Sequence, residues 1–311
     1  MGGVAIRRAV PLVVLIAALT VTAAGAHTSS AAFPGRNGVI AFDADGRVAA
    51  QIFTMTASGG HLRQLTDSEA SSTQPQFSAD GKHIVFQRAA ESGGGALDIW
   101  VMNSDGSHER LVASGLVPLT SDAINASAVW SPSGTKIAYS ARHGIWVIGI
   151  DGRHPRRVTQ GSNDADPAWS PNGRWIAFDR TWDHAKKGDI WVVRATGGRP
   201  RQLKAGNSTS EPEWSPDGRW IAFDYIGPGV TGAIEAIKPN GKHPRTITRF
   251  KDFSIDRPAW SPDGKWLVYE VLGDSDDQNL LYMVGINGQH RHALPRTAHN
   301  AGDPAWQPLG G

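Results

Sequence analysis

Residues 166–178 read DPAWSPNGRWIAF, and close copies of this phrase recur along the chain. It appears as QPQFSADGKHIVF at 74–86, SAVWSPSGTKIAY at 127–139, EPEWSPDGRWIAF at 211–223 and RPAWSPDGKWLVY at 257–269. Each copy is followed by a second apolar phrase: DIWVMN, GIWVIG, DIWVVR, AIEAIK and LLYMVG. A third short apolar run follows a Gly-x-His or Gly-x-Arg. The aromatic anchors Phe77, Trp130, Trp169, Trp214, Trp260 and Trp306 are separated by 53, 39, 45, 46 and 46 residues. Self-similarity at this period is the signature of a repeat architecture.

Local chemistry turns the phrases into strands. Ile176-Ala177-Phe178 and Ile190-Trp191-Val192-Val193 are short β-branched or aromatic runs bounded by turn residues. Between the first two strands of a repeat stands Ser-Pro-Asp-Gly (215–218, 261–264) or a near copy. Proline sets φ at the first corner, and glycine supplies the positive φ that follows. After the third strand come Asp105-Gly106, Asp151-Gly152, Asn240-Gly241 and Asn287-Gly288, strong hairpin signals. Each repeat is therefore four antiparallel strands, a to d, and no helical periodicity competes.

A four-stranded sheet repeated at this period is a propeller blade, which buries its faces only by stacking on neighbours around an axis. The chain starts its first repeat at strand b, Val39-Ile40-Ala41-Phe42, with a degenerate Phe33-Pro34-Gly35 ahead of it. The missing strand a appears at the other end as Asp303-Pro304-Ala305-Trp306. The sequence thus predicts an all-β, six-bladed propeller over residues 39–308, its first blade completed by the C-terminal strand.

The leading residues read as an export signal over 1–26, followed by a linker over 27–38. Arg7 and Arg8 precede an apolar run from Ala9 to Thr20, and Ala24-Gly25-Ala26 offers small residues for cleavage. The run is shorter than the about 20 apolar residues that span a bilayer. A retained anchor and twin-arginine export are the alternatives. The chain carries 31 Lys and Arg against 29 Asp and Glu. Removing residues 1–26 takes away two Arg and no acid, leaving formal neutrality. That balance lacks the basic footprint of a nucleic-acid binder. With no Cys in the chain, neither disulfides nor thiol chemistry is available.

The phrase P-x-W-S-P-D-G-x-x-I-A-F followed by D-I-W-V resembles the repeat of the TolB-like propeller family. The best matches are 167–178 with 189–193, and 212–223; the resemblance covers residues 33–308. It implies the fold and leaves function open, because propellers host many activities. TolB itself carries an α/β domain ahead of its propeller, and prolyl-oligopeptidase-like enzymes add a hydrolase domain. Here only about a dozen residues separate the predicted cut from blade one, so a bare propeller is expected.

Antiparallel alternation puts the d–a and b–c connections on one face and the tight a–b and c–d turns on the other. The b–c connections vary widely in length and the d–a loop at 113–126 is long, so binding is expected on that loop-rich face. Strand a is innermost, and three residues before each aromatic anchor stand Gln74, Ser127, Asp166, Glu211, Arg257 and Asp303, with Asp256 next to Arg257. These residues ring the channel mouth, where the acids are candidates to receive a cation, an amine or a basic peptide. Hydrogen bonding to backbone amides of the d–a turns is the simpler alternative. Trp182 stands outside the repeat register and is the candidate ligand-contacting aromatic; the other tryptophans recur by blade, as packing residues do.

His61, His108, His154, His243 and His290 recur one per blade after the c–d turn, with Arg199 in blade four. Spread around a ring, they cannot converge on one zinc ion. With Arg63, Arg110, Arg156, Arg201 and Arg245 they make that rim basic: a solvated edge, or a docking face for an anionic wall polymer. No G-x-S-x-G, H-E-x-x-H or P-loop occurs, so no catalytic residue, metal or cofactor is assigned. Asn125 and Asn207 open short matches to glycosylation acceptors. The expected function is a monomeric, exported, non-enzymatic scaffold binding a protein or cell-envelope component, with no nucleic-acid partner and no stable membrane span after cleavage. The alternative is a hydrolase, lactonase or lyase with a metal-dependent site in the channel mouth.

Overall fold

The computed structural model describes residues 32–90, 96–116, 127–161, 163–181, 188–205, 208–273, 279–295 and 299–310. The predicted export segment, Trp182 and its neighbours, and Asn125 and Asn207 lie outside these residues. The described chain forms six four-stranded antiparallel sheets, one per repeat. Strand a is Ser72–Phe77, Val129–Trp130, Asp164–Trp169, Ser208–Trp214 and Ile255–Trp260 in blades two to six, and Gly302–Leu309 in blade one. Strand b is Arg36–Asp45 in blade one, then His83–Ala89, Lys136–Ala141, Trp175–Thr181, Ile221–Gly227 and Trp266–Val271. No helix among the described residues is long and apolar enough to cross a membrane.

Ring closure follows the expected seam. Strand a of blade one pairs antiparallel with Arg36–Asp45, setting Trp306 opposite Ile40 and Ala305 opposite Ala41. The two chain ends therefore share a sheet, and strand b of blade one is paired on both sides.

The a–b turn repeats one hydrogen-bond device. Ser215 Oγ donates to Asp217 Oδ1 at 2.6 Å and accepts from Trp220 N at 3.0 Å. Ser261 does the same with Asp263 and Trp266, and Ser78 with Asp80 and His83. The turn glycines hold φ between 67° and 70° (Gly81, Gly134, Gly173, Gly218 and Gly264), a region L side chains avoid.

Packing between blades uses the strand-b core of each sheet. Ile40, Ile84, Ile137, Ile176, Ile221 and Leu267 are fully buried at one register position. The aromatic two residues on in each repeat is buried with them. Each strand buries about 1.5–3 kcal/mol per such side chain, which is why the apolar positions of the phrase vary so little.

The recurrent arginines of strand d do more than solvate an edge. Arg63 Nη2 donates to Asp105 O at 2.9 Å, Arg110 Nη1 to Ile150 O at 2.7 Å, and Arg156 Nη2 to Ala195 O at 2.8 Å. Arg201 Nη2 reaches Pro239 O at 2.6 Å. Each guanidinium ties its blade to the c–d turn of the next, while its residue stays exposed. Arg245 lies over the Trp220 ring at 4.2 Å instead. The five recurrent histidines follow the turn glycine at φ 54–58°, a left-handed position that His tolerates better than most side chains.

Candidate functional site

Six non-glycine residues with positive φ sit at one register position, one in each blade: Gln74 (60°), Ser127 (39°), Asp166 (51°), Glu211 (54°), Arg257 (60°) and Asp303 (50°). They are the residues that the sequence places at the channel mouth. In blades two, four, five and six the strand a–b register shifts at this point, between Thr73 and Gln76, Ala165 and Ala168, Ser210 and Glu213, and Asp256 and Ala259. The left-handed residue is thus the extra residue of a β-bulge, a device that bends a strand and re-aims a side chain. Except for Ser127, each is followed by proline, which has no N–H to leave unpaired. Left-handed backbone costs about 1–2 kcal/mol per L residue, and the same strain recurs in all six blades.

A second ring lies beside the first. Asp43, Gln87, Ser140, Asp179, Asp224 and Glu270 each follow the buried aromatic of strand b. Ala165 pairs with Asp179, Ser210 with Asp224, Asp256 with Glu270 and Gly302 with Asp43. Strand a begins and strand b ends on the loop-rich face, so both rings open there. The sequence analysis missed this second ring. Its signal was present, as a polar residue directly after the Phe or Tyr of every I-A-F phrase.

Bonds run around the rings from blade to blade. Ser127 Oγ donates to Asp166 Oδ1 at 2.6 Å, and Asp166 N donates to Ser140 Oγ at 3.1 Å. Glu211 accepts a hydrogen bond from Arg257 N, and Glu213 Oε2 accepts one from Trp260 N at 2.5 Å. Arg257 Nη1 lies 3.0 Å from both Glu270 Oε2 and Asp303 Oδ1. Some acids therefore do accept backbone amides, but the amides belong to the next blade. Asp256, beside Arg257, is buried opposite Glu270, and Arg257 itself holds the bulge position.

Seven of the twelve ring residues are carboxylates and one is a cation. Burial pushes the Glu270 carboxyl up to about 7, with Arg257 opposing and Asp303 and Asp256 adding to the rise. Burial also raises Glu211 well above the usual carboxylate range, with Asp256 adding and Arg257 opposing. Asp166 is raised by burial and by Asp179, with which it shares a side-chain hydrogen bond; Asp43 is raised by burial and by Asp303, in a second such pair. Two carboxyls can share a hydrogen bond only if one keeps its proton. Burial would lower Arg257, but Asp303, Glu270, Glu211 and Asp43 hold it well above its ordinary value. Gln74 Oε1 and the Asp43 Oδ1 oxygen are buried and find no donor among the described residues.

Residues 32–35 pack against the ring ahead of strand b of blade one. Phe33, 3% exposed, belongs to an apolar cluster with Trp130 and Trp169 of blades three and four. Ala32 joins the cluster of Trp260 and Tyr269 in blade six, and Gly35 N donates to Pro262 O of blade six. The neighbours Ala32 and Phe33 thus belong to the apolar clusters of different blades, and Gly35 is tied to an a–b turn on the tight-turn side.

Among the described residues no group of three or more His, Asp or Glu is arranged to hold a metal ion. The rings are an acceptor-rich, anionic lining with one internal counter-ion. They can receive hydrogen-bond donors and positive charge.

Comparison with known proteins agrees with the architecture. The chain is 26% identical over 131 residues to "Uncharacterized peptidase YuxL" of Bacillus subtilis, a match covering 42% of this chain and 18% of that protein. It is 26% identical over 132 residues to "Protein TolB homolog" of Chlorobium luteolum, covering 41% of this chain and 28% of that one. The matched segments thus span less than a third of either relative's length. The crystal structure of TolB from Acinetobacter baumannii superposes with a TM-score of 0.72 at 20% identity, covering 87% of this chain and 67% of that one. That likeness is one of fold. The model of the TolB beta propeller domain matches residues 120–310, and the chain belongs to that family.

Proposed function

We propose that this propeller is an exported, non-enzymatic binding scaffold that receives a cationic, donor-rich segment of a protein or cell-envelope component in its acidic channel mouth. The observation that carries the reading is the imbalance of seven carboxylates to one arginine in the two rings. Buried carboxyls with raised proton affinity are held at a cost, and an incoming ammonium or guanidinium would relieve it. Gln74 Oε1 and Asp43 Oδ1 add acceptors that such a ligand could satisfy. The variable b–c and d–a connections around the mouth would supply selectivity, with Trp182 as the candidate aromatic contact. The Arg7-Arg8 and apolar opening of the chain supports export, and membership of the TolB propeller family favours a protein partner.

Titration of the purified protein with a fluorescent Lys- and Arg-rich peptide, against its acidic counterpart, tests the reading. Binding of the cationic peptide alone is expected, weakening with salt. The combined Asp166→Asn, Glu211→Gln and Asp303→Asn variant should lose it while keeping a cooperative melt. Equal binding of both peptides, or an unaffected triple variant, would reject the proposal. A stoichiometric, tightly held divalent ion in the purified protein would favour the metal-dependent hydrolase or lyase reading instead.

A further inference from the structure

The near-neutral total charge conceals a separation of charge along the propeller axis. On the tight-turn side, counting the a–b turns, the c–d turns and the strand residues flanking them, Lys and Arg outnumber Asp and Glu eighteen to six. At the opposite end lie the carboxylate rings. The separation follows the repeat: Arg36, Lys82, Lys136, Arg174, Arg219 and Lys265 stand one at each a–b turn, and all six are exposed. Further out, the c–d turns carry the recurrent His and Arg positions. Most acids on this side are turn residues already engaged, as Asp80, Asp217 and Asp263 are by their serines. The result is two concentric rings of cations on a face built from short turns of nearly constant length.

Two further features concern what such a face fits. The turns are short and nearly uniform, and the cations are spread around all six blades instead of along one line. Leu62 and Leu111, 39% and 46% exposed, sit at its rim beside Arg63 and Arg110. They are two of the four exposed large hydrophobics among the described residues. A plane of monovalent anionic headgroups with an apolar layer beneath matches a ring of cations with two exposed leucines at its rim.

We infer that the tight-turn face docks on an anionic lipid bilayer, holding the acidic channel mouth away from the membrane. The carboxylate-rich end would be repelled by the same surface, so one field both attracts and orients the molecule. This attraction acts within a Debye length, about 8 Å at physiological salt, and must weaken as salt rises.

The test is flotation of the full chain with vesicles of phosphatidylcholine alone or with one third phosphatidylglycerol, at low and high NaCl. The apolar run near the N-terminus is common to all samples, so the readout is the gain on adding anionic lipid and its loss in a surface variant. Combining Lys82→Gln, Arg174→Gln, Arg219→Gln and Lys265→Gln should cut the anionic-vesicle partition coefficient at least tenfold. Arg47→Gln with Arg142→Gln, exposed on the loop-rich face, should leave it nearly unchanged. Because the chain has no Cys, an environment-sensitive dye can be placed uniquely by Ser133→Cys at a tight turn or Val48→Cys on the loop-rich face. Only the first should shift on binding. No gain with anionic lipid, equal loss in both surface variants, or a response at Val48→Cys alone would overturn the inference. So would retention on a soluble wall polyanion or DNA without retention on vesicles.

Discussion

Arg257 Nη1 lies 3.0 Å from Asp303 Oδ1, an ion pair that spans the seam where blade six meets blade one. The same nitrogen donates to Glu270 Oε2, and the Arg257 backbone N–H donates to Glu211. Through its guanidinium and its backbone N–H, this one arginine therefore serves three carboxylates from three blades. It does so at the joint where the two ends of the chain meet.

Replacing Arg257 by Met should lower the unfolding free energy by about 3 kcal/mol, because it leaves buried carboxylates uncompensated. Adding Asp303→Asn to that variant should recover part of the loss by removing one of them. Urea denaturation of the single and double variants measures both effects.

The buried acids give a defined pH dependence. Glu270 titrates near 7 when folded against an ordinary value of 4.5, so between those values the folded state holds more protons than the unfolded one. Its contribution is fully present below about pH 4.5 and is lost as pH rises through about 7, on the order of 3 kcal/mol. Asp43, Asp166 and Glu211, raised in the same direction, add to the slope. Melting temperature should therefore fall from pH 5 to pH 7.5, and Glu270→Gln should flatten that fall.

Closure of the ring depends on the C-terminal strand. Trp306, 6% exposed, packs in one cluster with Ile40 and Phe42. Trp306→Ala should cost about 3–5 kcal/mol, read from the urea midpoint. Deleting residues 302–311 uncovers the paired edge of Arg36–Asp45 and should give an aggregating product by light scattering.

The bulge strain can be separated from the charge it carries. Glu211→Gly and Glu211→Ala both remove the carboxylate, but only alanine keeps a Cβ at φ 54°. The glycine variant should be more stable than the alanine variant by about 1 kcal/mol. Equal midpoints would mean that the backbone there relaxes without cost.

Much of this molecule is legible in its sequence because the blade is a local unit. The S-P-D-G turns, the I-A-F strands and the stray C-terminal Pro-Ala-Trp are each decided within a few residues of backbone chemistry. Their recurrence leaves few arrangements other than a closed ring. The inner ring of Gln74, Ser127, Asp166, Glu211, Arg257 and Asp303 was legible for the same reason, since register alone aligns it. Other features needed the assembled ring. The second ring of Asp43, Asp179, Asp224 and Glu270 acquires meaning only when strand b ends beside the bulge of strand a. The hydrogen bonds from Ser127 to Asp166 and from Arg257 to Glu211 join residues 39 and 46 positions apart. Phe33, a degenerate repeat element in the sequence, joins the apolar cluster of Trp130 and Trp169 because only folding brings those blades beside it. Local turn and strand preferences are short-range and readable from neighbours; proton affinities, inter-blade latches and the separation of charge between faces are sums over distant residues, fixed only once the blades are packed.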